Sequence, residues 1–192
     1  TLSAISRYWS KPAEHVQVAD EICYNGTTNY AERNWAENNG WAVREFSVTE
    51  ESAQQLLDRG IPFTFVTIEP GNAHLQAIIG YDKRRRTLQV RDPYWRNSGE
   101  TLTEKLLARY RAFGPRGMAL VPSDRADLLE GLELPDASLW DIIHAIDGAL
   151  IRHQRQAAQE SYEALRARAP NHRLTHNARR LLAIYDANPT EQ

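Results

Sequence analysis

The chain has 192 residues, enough for one ordinary domain and a small appendage, and its 42% hydrophobic content can supply a buried core. With 23 basic and 25 acidic residues the net charge is -2, which gives no general attraction to phosphate backbones or anionic membranes, so nucleic acid is not an expected partner. The lone Cys23 excludes an internal disulfide and a thiolate metal cluster, and the sequence contains neither a signal peptide nor an apolar run of the roughly eighteen residues a membrane span requires.

Leu2, Ile5 and Trp9 recur at helical spacing, and Pro12 opens a second helix with Val16, Ala19, Ile22 and Cys23 on one side, stopped at Asn25-Gly26. A third helix fits Thr28 to Asn38, with Tyr30, Ala31 and Trp35 inward and Asn39-Gly40 as its stop. Val43, Phe46 and Val48 mark a strand over Trp41 to Val48. Thr49 ahead of Glu50, Glu51 and Ser52 reads as the N-cap of a helix running to Arg59-Gly60. Pro62 to Ile68, Ala73 to Tyr81, Thr87 to Arg91 and Met118 to Val121 are β-branched or apolar runs bounded by Gly, Pro and Asp, and read as strands. A helical pattern from Leu102 to Phe113, closed by Gly114-Pro115, separates the last two. Helices followed by a mostly antiparallel sheet predict an α+β domain.

Composition changes at Pro122, which sets the expected domains at 1–122 and 123–192. Beyond it the pattern is helical throughout. Leu139, Ile142, Ile143, Ile146 and Leu150 form one stripe, Ala157, Ala158, Tyr162 and Leu165 a second, and Leu174, Leu181, Leu182 and Tyr185 a third, with breaks at Pro170-Asn171 and Asn188-Pro189. The small residues at Ala157-Ala158 and the closing Pro170 resemble a tetratricopeptide repeat, which implies a surface for a protein partner. A helical pair that simply covers the first domain has the same pattern.

The chemistry concentrates in Ala73 to Pro93, which reads as a β-hairpin turning at Lys83-Arg84-Arg85-Arg86. A turn centred on Lys83 and Arg84 sets His74 opposite Asp92 on the neighbouring strand, within side-chain reach. A carboxylate accepting one ring N–H fixes the histidine tautomer and leaves the other nitrogen to take a nucleophile's proton, so His74 is the candidate base and Asp92 its orienter. A strand-end histidine salt-bridged to a turn aspartate is the purely structural alternative.

Other candidates carry less chemistry. Cys23 precedes Tyr24-Asn25-Gly26 at the negative end of a helix dipole, which opposes thiolate formation and points to a buried packing thiol. His172 and His176 stand one helical turn apart without an evident third ligand, so no metal or cofactor is expected. Lys83 to Arg86 reads as a solvated turn, and Trp95 either lines a peptide cleft or is a rim aromatic.

The His-x-x-x-x-x-Gly-Tyr-Asp run from His74 to Asp82, with a strand and Asp92-Pro93 after it, resembles the bacteriocin-leader, or double-glycine, peptidases and their broader relatives. The resemblance covers residues 1–122 and includes Gly60-Ile61-Pro62 as the lead-in to the strand before the histidine. It implies a papain-like fold and a cysteine peptidase acting on a peptide or protein, with His74 as the catalytic histidine and Asp92 as the third catalytic residue. In that family a glutamine and a Cys-Gly-Pro-Ala motif open the first helix, which continues into an apolar run and a Tyr-Trp pair. Thr1 to Trp9 looks like that helix without its first turn, so the nucleophilic thiol is expected upstream of Thr1 and this stretch alone is expected to be inactive. A catalytically dead papain-like module that binds peptides or proteins is the rival reading.

Overall fold

A computed structural model describes residues 1–23, 26–69 and 72–187. The expected helix stop at Asn25 and the break at Asn188-Pro189 lie outside the described residues. The chain divides into two compact units, Thr1–Pro135 and Asp136–Gln192.

In the first unit α1 (Leu2–Tyr8), α2 (His15–Ile22) and α3 (Asn29–Asn38) precede β1 (Trp41–Ser47) and α4 (Glu50–Asp58). There follow β2 (Phe63–Glu69), β3 (Asn72–Asp82), β4 (Thr87–Arg91), β5 (Gly99–Leu102), α5 (Thr103–Tyr110) and β6 (Arg116–Pro122). The strands form one six-stranded sheet in the order β1-β6-β2-β3-β4-β5, and every neighbouring pair is antiparallel. The α+β class is therefore as the sequence pattern predicts. Local chemistry explains the helix starts: Thr28 accepts from the Ala31 N–H at α3, and Thr49 and Ser52 bond reciprocally at α4, so each satisfies backbone donors the helix leaves free.

Alternation along the strands feeds two cores. Met118 and Leu120 of β6 pack with Leu2 and Ile5 of α1, Val18 of α2 and Trp35 of α3. Their neighbours Ala119 and Val121 join Phe46, Phe63, Phe65 and Ile78 beneath Leu56 of α4 and Tyr110 of α5. Helix α2 departs from expectation. It starts at His15 rather than Pro12, it buries Val18, and Val16 is exposed.

Two further expectations change. Strand β5 has no apolar alternation, and Leu102 is 44% exposed; it exists because Gly99 to Leu102 pair with Val90 to Thr87 at the sheet edge. The boundary expected at Pro122 falls at Pro135. Residues 123–135 form a 3₁₀ segment over Ser123–Leu129 and a short connection, whose Leu128, Leu129, Leu132 and Leu134 pack against the α4-side core. The Pro135 carbonyl also accepts from the Ser47 N–H at 2.8 Å.

The second unit contains α6 (Ala137–Ile151), α7 (Arg155–Arg168) and α8 (Arg173–Tyr185) around one core of Ile143, Ile146, Ala158, Tyr162, Leu165, Leu174, Ala178 and Leu182. Among the described residues no helix is long and apolar enough to cross a membrane.

Candidate active site

His74 lies on β3, opposite Thr67 of β2, whose hydroxyl donates to the His74 carbonyl at 3.2 Å. On the other side β3 pairs with β4 from Asp82↔Thr87 to Ala77↔Arg91, with an irregularity between Ile78 and Gly80. At Gly80 the backbone passes close to the Gln89 side chain, whose Oε1 would lie 2.7 Å from an added Cβ. The turn is thus centred between Arg84 and Arg85 rather than Lys83 and Arg84, and the irregularity takes back one residue, so near the site the pairing lies two residues from the one that sets His74 opposite Asp92. Continuing the ladder one step beyond Arg91 sets Asp92 opposite Gln76, with His74 on the diagonal. An even shift preserves the face, so the two groups still meet.

His74 Nε2 lies 2.9 Å from Asp92 Oδ2. Gln76 Nε2 donates to the same oxygen at 2.5 Å, and the Tyr94 backbone N–H donates to Oδ1 at 2.8 Å. The Asp92 side chain is 5% exposed and that of His74 23%. Burial pushes the Asp92 carboxyl up, but the hydrogen bonds from Gln76, the Tyr94 N–H and His74 outweigh it and hold the carboxyl below its ordinary range. The Tyr94 ring, 84% exposed, stacks on the imidazole at 4.9 Å between centroids and 23° between planes. With Asp92 accepting the Nε2–H, Nδ1 of His74 is the nitrogen left to act as a base.

A cleft of about 470 Å³ opens beside His74, lined by Leu75, Tyr94, the start of α1 and the Val18, Ala19 and Ile22 side of α2. The Thr1 hydroxyl donates to the Leu75 carbonyl at 2.7 Å, which ties the start of α1 to the strand that carries His74. Cys23 also lines this cleft. It is exposed, with its Sγ 2.8 Å from the Thr27 hydroxyl, and is not the buried packing thiol that the sequence pattern suggests; it stands directly after the last turn of α2.

The remaining candidates are accounted for locally. Tyr94 lines the cleft, whereas Trp95 leans on Gly99, where a Cβ would come within 2.3 Å of its ring. In the turn, Arg85 pairs with Asp82 and Glu100, and Arg86 with Glu50. His172 caps α8, its Nδ1 accepting from the Leu174 N–H. Sequence reasoning passed over Gln76 and Tyr94. Gln76 was the legible one, since residues two apart on a strand share a face and an amide interrupts the run Leu75 to Ile79.

Behind the cleft sits an ion network with no signal in the sequence pattern. Arg116 of β6 donates to Glu45 of β1 at 2.5 Å and to Glu32 of α3 at 2.8 Å, and Arg33 donates to Glu45 at 3.1 Å. All four residues are buried. Burial raises the Glu32 carboxyl above its ordinary range in spite of Arg116.

Residues 1–118 match the family described as the Peptidase_C39 like family. Among solved structures, the peptidase domain of Streptococcus ComA, a bi-functional ABC transporter involved in a quorum-sensing pathway, is similar at 13% identity and a TM-score of 0.53. The match covers 63% of this chain and 87% of that one, and at this identity it speaks for the papain-like fold alone. No curated protein matches the chain.

Proposed function

The chain belongs to the Peptidase_C39-like family, and on that premise we propose that Thr1–Pro135 is a cysteine peptidase-type domain acting on a peptide or protein, with His74 as general base and Asp92 as its orienter. The observation that carries this reading is the 2.9 Å contact between His74 Nε2 and Asp92 Oδ2 at the edge of a cleft that the start of α1 also lines. In this reading the thiol is that of the cysteine with which the family opens its first helix, a position outside these 192 residues. His74 Nδ1 removes the thiol proton, and the thiolate sulfur adds to the scissile carbonyl carbon. The imidazolium, stabilised by Asp92, then returns that proton to the departing amine nitrogen. Water attacks the resulting thioester, again losing its proton to Nδ1, and frees the acid and the thiol.

Cys23 does not serve as the nucleophile in this reading, because it follows the C-terminal end of α2, where the helix dipole disfavours a thiolate. The second unit, with α7 and α8 as a tetratricopeptide-like pair, contributes a surface for a protein partner.

The test compares the 192-residue chain with a form extended upstream along its gene, each incubated with a broad peptide library and a thiol-directed covalent probe. The expected result is cleavage by the extended form alone, silenced by His74→Ala. Cleavage by the 192-residue chain that Cys23→Ala abolishes overturns the assignment of the nucleophile. An extended form that binds peptides without a cysteine at that helix, and without cleaving them, makes the domain a binding module instead.

A further inference from the structure

We infer that Gln76 is a positioning residue: its side-chain amide holds the Asp92 carboxylate in the orientation from which that carboxylate selects the Nε2–H form of His74. The inference deepens the peptidase reading and rests on it for its catalytic consequence, while its structural part stands on the geometry of this chain.

Asp92 sits just past the end of β4, where the chain leaves the sheet through Pro93. Its carboxylate is therefore held by three donors of different origin. The Tyr94 N–H comes from the same loop two residues on, an Asx-type contact that moves with the loop and cannot fix it against the sheet. His74 is the group to be oriented. Of the two donors on β3, Gln76 is the one that is not itself being oriented, and it sits where β3 is bonded to β2 through Phe65↔Gln76 and, one residue on, to β4 through Ala77↔Arg91. Its Nε2 reaches Oδ2, the oxygen that also meets His74. With one lone pair of Oδ2 committed to Gln76, the other is directed at the imidazole. A polar amide between Leu75 and the buried Ala77 and Ile78 has no packing purpose, and the buried acceptor on Asp92 supplies one.

A different geometry would follow if the amide merely satisfied a buried oxygen. Its removal would then destabilise the fold without changing which ring nitrogen of His74 carries the proton. Positioning predicts that the tautomer changes.

The experiment uses the 192-residue chain labelled with ¹⁵N-histidine and long-range ¹H–¹⁵N correlation spectra, recorded above about pH 8, where an ordinary imidazole is neutral. Two variants are compared with the parent. Gln76→Met keeps the shape and removes the donor, and Gln76→Asn keeps an amide but withdraws it by one methylene. The parent should show His74 as one Nε2–H tautomer, and both variants should add signals of the Nδ1–H form. In the extended, active form kcat should fall about tenfold with KM within about twofold, as for a group acting only on the alignment of the base. If Gln76→Met does not fold, Gln76→Asn carries the same test. A single Nε2–H tautomer in the folded variants overturns the inference, whatever kcat does. A changed tautomer with unchanged kcat leaves Gln76 as the positioning residue and instead removes His74 from the mechanism.

Discussion

Asp92 is the residue on which the site turns, and its environment sets a pH limit on the first unit. Hydrogen bonds from Gln76, the Tyr94 N–H and His74 hold its folded carboxyl below the ordinary range, despite burial. A carboxyl depressed in the folded state contributes stability that is complete above its unfolded pKa, about 3.9, and is lost as pH falls through the lower folded value. Asp92→Asn should therefore lower stability at neutral pH and flatten its acid dependence below about pH 4. Urea titrations of parent and variant across that range check this; parallel curves would show that the carboxylate gains nothing from its three donors. Exposed carboxylates such as Asp82 and Asp186 are also depressed, by the backbone and side chain of Arg85 and by the side chain of Arg155 respectively, but water screens these pairs and they should affect the curve little.

At the scale of the elements, the strands are placed by side chains that need particular neighbours. Gly117 of β6 lies under Phe46 and Val48, where a Cβ would stand 2.7 and 2.6 Å from their side chains. Gly117→Ala should cost about 1–3 kcal/mol, the usual penalty for overpacking a filled core. Chemical denaturation measures it, and an unchanged midpoint would mean that β1 and β6 can separate slightly at no cost. The β3–β4 hairpin shows how much element-level reasoning can deliver. Its strands and its turn residues are legible in the alternation around Lys83 to Arg86, but the irregularity at Ile79 displaces the ladder, which depends on cross-strand packing at Gly80 and Gln89. The one-residue step there sets Asp92 opposite Gln76 rather than Ala77, on the face that His74 shares.

For the whole first unit, the buried network of Arg116, Glu45, Glu32 and Arg33 joins α3 to β1 and β6. Arg116→Met should destabilise it by about 3–5 kcal/mol, since Glu32 would be left as a buried charge without a guanidinium and Glu45 with that of Arg33 alone. Adding Glu32→Gln should recover part of that loss. A melt in which the single variant is as stable as the parent would show that water reaches the site. The extent of the unit is testable in the same way: a fragment ending at residue 122 uncovers the core beneath Leu128, Leu129, Leu132 and Leu134, so it should be markedly less stable than one ending at Pro135. Equal urea midpoints would place the boundary at Pro122 after all. The sequence by itself determined the α+β class, the helix cap at Thr49, the strands with strong alternation and the proximity of His74 and Asp92, because propensity, capping and period-two patterning act within a few residues. Strand β5, the packing of residues 123–135, the exposure of Cys23, the ion network and the contacts of Gln76 and Tyr94 with Asp92 and His74 were decided only by the tertiary structure. Each depends on which distant backbone arrives alongside, and a polar side chain's partner leaves no mark in the periodicity of its own segment.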